Sequence, residues 1–72
     1  MKNRINSLLK NYESKVLEAD ENLNLLLQKP KIIPDHTNLN KEIDKWVSVK
    51  SNNISKHNIL ISYLPKEEKK DG

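Results

Sequence analysis

The sequence predicts an all-α fold, an antiparallel two-helix hairpin of the coiled-coil kind. Two observations carry this prediction. Apolar residues recur at alternating spacings of four and three in each half of the chain, and Pro30 and Pro34 separate the halves. The 72 residues are enough for one small domain. We therefore expect a single helical domain at 1–65, with helices at 3–28 and 38–64 and a connector at 29–37.

The first helix is predicted from an unbroken heptad pattern. Its seam consists of Ile5, Leu9, Tyr12, Val16, Ala19, Leu23 and Leu26. Lys29 precedes Pro30, which disfavours helical backbone at that position, so the helix should stop at Gln28. Further leucines outside the seam widen the apolar face beyond what one neighbouring helix can cover. They are Leu8, Leu17, Leu25 and Leu27.

The second helix is predicted to begin near Asp35 or Thr37, since either side chain can cap a helix, and to end before Pro65. Its seam has the same spacings. The seam consists of Ile43, Val47, Lys50, Ile54, His57, Ile61 and Leu64. The pattern is weaker than in the first helix because Lys50 and His57 interrupt it. We expect Lys50 to reach solvent or fix the register, and His57 to be packed and hydrogen-bonded.

Other residues of the second half leave an alternative open. Val47 and Val49 alternate with polar residues, and the run Ile59–Leu64 suits a strand. This interpretation gives an α+β fold with a C-terminal β-hairpin. Ile32 and Ile33 are expected to fold back over the open end of the hairpin, with a partner contact as the alternative, and 66–72 to form a disordered charged tail.

Composition argues against most catalytic and cofactor-binding classes. The chain has no cysteine and one glycine, so disulfides, cysteine-based zinc sites and a glycine-rich phosphate loop are excluded. The acidic residues Glu18, Asp20 and Glu21 are expected to form a solvated face. We expect no enzymatic activity, no cofactor and no metal.

Charge and hydropathy bear on the partner and the compartment. The 13 basic and 10 acidic residues are dispersed, so we do not expect a nucleic acid as partner, and a nucleic-acid-binding accessory protein is kept as an alternative. The start of the chain lacks the apolar stretch of a secretory signal, and the longest apolar run is Ile59–Ile61. These features predict a cytoplasmic protein that does not enter a membrane.

The function that the sequence favours is protein binding. A chain this short has a marginal core and commonly gains stability from another chain. We expect a small regulatory, non-enzymatic module that completes its core by dimerising or by docking on a partner protein. The expected interface residues are Leu8, Leu17, Leu25, Leu27, Trp46 and Leu60.

The run Asn40–Val47 leads to an alternative function. It resembles the signature of the short sporulation-regulating aspartyl-phosphate phosphatases, which are two-helix hairpins that act on phosphorylated response regulators. Glu42, Ile43 and Asp44 match that signature in type, whereas Asn40 stands in place of a serine and Lys41 in place of a glutamine. The resemblance covers about eight residues and implies that Asp44 is the essential acid.

Overall fold

The computed structural model describes residues 2–32 and 34–64 and contains two long α-helices. Helix α1 spans Lys2–Gln28, a short 3₁₀ turn spans Pro30–Ile32, and helix α2 spans His36–Ile61. The helices pack against each other as an antiparallel hairpin, which confirms the all-α prediction. The alternative with a C-terminal β-hairpin is wrong, because Val47, Val49 and Ile59 all lie within α2.

The end of α1 is set by the sequence around Pro30. The backbone N–H of Lys29 still donates to the Leu25 carbonyl at 2.8 Å, and Pro30 then begins the 3₁₀ turn. Proline has no N–H to continue the helical hydrogen-bond ladder. The predicted end at Gln28 is therefore confirmed.

The start of α2 lies two residues before the expected 38, because Asp35 acts as the N-cap. Its Oδ1 accepts a hydrogen bond from the backbone N–H of Thr37 at 2.9 Å, and its Oδ2 accepts one from the side-chain Nδ2 of Asn38 at 3.3 Å. The first bond satisfies a backbone donor that the first turn of a helix otherwise leaves free, and the second holds the capping carboxylate in place.

The end of α2 also differs from the prediction, at Ile61 instead of 64. Ser62 is the cause. Its backbone N–H donates to the Ile59 carbonyl at 3.2 Å, and its hydroxyl donates to the same oxygen at 2.6 Å. Together these bonds tighten the chain into a turn ahead of Pro65.

The buried core lies on α1. Every residue of the predicted α1 seam is buried or half-buried, and Ile5, Leu9, Ala19 and Leu26 are the buried ones. By contrast, α2 contains no fully buried residue. One neighbouring helix thus covers the α1 seam but leaves α2 incompletely covered.

The face of α2 that meets α1 is rotated slightly from the predicted seam, of which Ile43, Lys50, His57, Ile61 and Leu64 are half-buried. Val47 and Ile54 are 48% and 40% exposed, whereas Trp46, Asn53 and Leu60 are half-buried. The rotation turns the large indole of Trp46 inward, where it buries more apolar area than Val47 could. Two sequence predictions, the fold-back of Ile32 and Ile33 and the disordered tail at 66–72, concern side chains and residues outside the described part of the chain.

The Asp35 cap gives a direct test of the local structure. Replacing Asp35 with alanine should lower the free energy of unfolding by about 0.5–2 kcal/mol, because two hydrogen bonds to the first turn of α2 are lost. Urea titration followed by circular dichroism measures the change. Asp44→Ala is the matched control, since Asp44 is an exposed aspartate within the same helix. Equal losses in both variants would contradict the capping role.

Candidate interaction surface

Two polar contacts connect the helices across one flank of the hairpin. Lys50 Nζ lies 2.6 Å from Asp20 Oδ1, and His57 Nε2 lies 2.9 Å from Glu13 Oε2. The two acids are seven residues apart on α1, and Lys50 and His57 are seven residues apart on α2. Seven residues are about two turns, so both contacts lie on the same flank. His57 is half-buried and hydrogen-bonded, as expected, and Lys50 is held by a carboxylate.

These contacts set the register of the two helices and contribute little to the stability of the hairpin. The side chains of Lys50 and Asp20 are 40% and 39% exposed, and an ion pair this exposed contributes about 0–1 kcal/mol. Sliding one helix past the other by a turn would break both contacts together. The pairs therefore favour one antiparallel alignment. Asp20, which was expected to belong to a solvated acidic face, is half-buried and paired with Lys50, and its side chain keeps 39% of its surface in solvent.

An apolar groove runs along the same flank. Val16 and Leu23 line it from α1, and Val47 and Ile54 line it from α2. Ile54 borders two neighbouring depressions and joins them into one groove. We call this surface the groove face. It comprises Glu13, Val16, Asp20, Leu23, Val47, Lys50, Ile54 and His57.

Trp46 lies on the face of α2 that meets α1, outside the groove face. Its indole Nε1 donates to Glu42 Oε1 at 3.3 Å, and Lys45 Nζ lies 4.8 Å from the ring centroid. The half-buried ring is thus covered by residues of its own helix, a glutamate and a lysine. In this structure Trp46 acts as a core residue with a satisfied N–H.

The predicted interface residues do not form one surface. Leu8 and Leu60 line a shallow depression near the ends of the chain together with Arg4 and Tyr63. Leu17 and Leu25 are exposed on α1. Leu27, 64% exposed, lies seven residues after Asp20 and so continues the flank of the groove face towards the connector.

The remaining candidate for chemistry, Asp44, is exposed on α2. Among the other acids, Glu18 is paired on its own helix with Lys15 at 3.8 Å. Within residues 2–32 and 34–64, the side chains form no cluster of three or more histidine, aspartate or glutamate residues that could hold a metal ion. In the same ranges, neither helix combines the length and hydrophobicity that a membrane crossing requires.

Sequence reasoning missed the groove face because Val47 and Ile54 were placed in the seam of α2, although five of the seven predicted seam residues are half-buried. A seam built on Leu39, Ile43 and Trp46 would have left Val47, Ile54 and Ile61 as a separate apolar stripe with a period of seven. A second signal was that the acids on α1 and the basic residues on α2 are separated by the same number of residues along their helices.

No protein-family model, curated protein or solved structure matches this chain.

Proposed function

We propose that the chain is a small non-enzymatic module that binds another protein chain through the groove face, and that it acts as a regulatory or assembly component. One observation carries the proposal: α2 has no buried residue, and its exposed Val47 and Ile54 line an apolar groove with Val16 and Leu23. Apolar side chains gathered in one groove gain free energy when another surface covers them, at about 25 cal/mol per Å².

The polar contacts in the groove suit the same role. The Asp20–Lys50 and Glu13–His57 contacts cross between the helices and keep the apolar side chains of the groove aligned. Interaction surfaces combine such polar pairs with apolar contacts. With no cysteine in its sequence, the chain needs no oxidising compartment in order to fold, and we place it in the cytoplasm.

Site-specific photo-crosslinking tests this function. A photoreactive amino acid at position 54 should give a discrete adduct with one protein species in the native cell. The matched control carries the same amino acid at position 59, where Ile59 is 62% exposed on the same helix but about 140° around it. The protein identified at position 54 is then titrated with the purified chain. Adducts of equal yield at both positions, or none at either, would contradict the proposal.

Asp44 separates this function from the phosphatase that the Asn40–Val47 resemblance implies. For a binding module, Asp44→Ala should change the free energy of unfolding by no more than about 0.5 kcal/mol, because Asp44 is exposed. The wild-type chain should not accelerate dephosphorylation of a response-regulator aspartate. Phosphate release from phosphorylated regulators of the host measures this. Acceleration that disappears in Asp44→Ala would establish the phosphatase function instead.

A further inference from the structure

We propose that the occupant of the groove face is a second copy of this chain, giving a two-fold symmetric, antiparallel four-helix bundle. The proposal rests on the binding function above and names its partner. In this dimer, α1 of each copy lies over α2 of the other. The juxtaposition that carries it is the groove of Val16, Leu23, Val47 and Ile54, with acids on its α1 side and basic residues on its α2 side.

The available area matches what a dimer needs. Two helices of 27 and 26 residues, side by side, present a face about 39 Å long and about 20 Å wide, or roughly 800 Å². A standard protein–protein interface buries about 800 Å² on each partner. The side of the hairpin that bears the groove face is therefore large enough for a stable symmetric contact, and the groove face itself, at 13–23 and 47–57, occupies about 15 Å of its length. Covering this side would bury the flank of α2 that α1 leaves exposed.

Charge then selects the orientation of the second copy. A two-fold axis parallel to the helices leaves the height of each residue along the helix axis unchanged. It also places α1 of one copy over α2 of the other. Asp20 of each copy then faces Lys50 of the other, and Glu13 faces His57. Opposite charges thus alternate at the level of Asp20 and Lys50, and at the level of Glu13 each carboxylate meets an imidazole that can donate a hydrogen bond, which is favourable.

The competing two-fold arrangement is disfavoured by the same charges. An axis perpendicular to the helices places α1 over α1 and α2 over α2. The flank of α1 that carries Glu13 and Asp20 would then face the same flank of the second copy. Likewise, Lys50 would face the flank of α2 that carries Lys50 in the second copy. Like charges brought together in an interface cost affinity. The groove therefore favours one of the two face-to-face dimers.

Sedimentation equilibrium of the full-length chain over a concentration series tests the proposal. The wild type should approach twice the 8.4 kDa chain mass. Ile54→Asp should raise the dimer dissociation constant at least tenfold, because it places a charge in the apolar groove of each copy. Ile59→Asp introduces the same change on the other side of α2 and should leave the dissociation constant within about twofold. Circular dichroism confirms that each variant remains helical.

A charge exchange tests the orientation without burying a new charge in the apolar groove. The double variant Asp20→Lys with Lys50→Asp should dimerise with itself as the wild type does, because opposite charges still face each other at that level. Mixed with the wild type, it should form few heterodimers, since α1 of each chain would then face a like charge on α2 of the other. Native mass spectrometry of the mixture counts the species. Heterodimers in excess of homodimers would overturn the proposed orientation, because only the competing arrangement brings the new lysine onto the acidic flank of the wild type.

The outcomes also separate this proposal from the binding function. A wild-type chain that stays monomeric at every concentration, or a dimer that responds equally to Ile54→Asp and Ile59→Asp, would overturn the second copy as occupant. If the chain is monomeric and position 54 still crosslinks specifically to a different protein, the binding function stands and this inference fails. If it is monomeric and position 54 gives no specific adduct, both fail.

Discussion

Replacing Leu26 with alanine is expected to lower the free energy of unfolding by about 2–3 kcal/mol, at the lower end of the range for buried leucines. Leu26 is 5% exposed and is one of four buried residues in the described core. A small domain with so few buried side chains has only about 3–5 kcal/mol of stability to lose. The variant should therefore be partly unfolded at room temperature. Urea titration followed by circular dichroism measures the loss.

The neighbouring residue supplies the control for this prediction. Leu27→Ala removes the same atoms one position along the helix, from a side chain that is 64% exposed. Its effect should stay within about 0.5 kcal/mol at protein concentrations where the chain is monomeric. Both titrations need the same concentration, because self-association would add to the apparent stability. If Leu26→Ala cost no more than Leu27→Ala, the seam of α1 would be wrongly assigned.

The architecture and the core of α1 could be predicted from the sequence because their signals are local. The spacings of four and three in residues 5–26 define one stripe on a helix, and the structure buries or half-buries every member of it. The two ends of the connector were also encoded locally. Lys29–Pro30 stops the first helix, and Asp35 caps the second.

The face of α2 could not be predicted in full, because two overlapping sets of residues that share Ile43, Lys50 and His57 satisfy the same spacing. Which of them faces α1 depends on how much area each side chain buries against the other helix. Trp46 and Leu60 are half-buried, whereas Val47 and Ile54 remain on the flank. This choice is a property of the packed pair of helices, and it is what creates the groove face.

The cross-helix contacts lay beyond the sequence argument for a related reason. His57 was expected to be hydrogen-bonded, and the helical pattern of α2 alone does not say which residue of α1 lies opposite. The structure supplies Glu13, 44 residues away in the chain. Once the antiparallel register is known, the Asp20–Lys50 contact two turns away follows from the same alignment.

Ala19 is the residue at which the helix pair should tolerate the least added volume. Its side chain is 0% exposed in the seam of α1, and it adjoins Asp20, whose carboxylate meets Lys50 of α2 at 2.6 Å. Ala19→Leu should lower the free energy of unfolding by about 1–3 kcal/mol, because three extra carbons must push the helices apart or adopt strained rotamers. Leucine and alanine have similar helix propensities, so the loss reports packing.

The control for Ala19→Leu is the same side chain at an exposed site of the same helix. Ser14→Leu adds a leucine where α1 faces solvent, and it should leave the free energy of unfolding within about 0.5 kcal/mol of the wild type. A second readout distinguishes a wider hairpin from a merely weaker one. Because Ala19 adjoins Asp20, the displaced helix should lose the Asp20–Lys50 contact, so Lys50→Ala should cost less in the Ala19→Leu background than in the wild type. If Lys50→Ala lowered the free energy of unfolding equally in both backgrounds, the helices would accommodate the leucine without separating. Their close approach at Ala19 would then not be what limits the size of this residue.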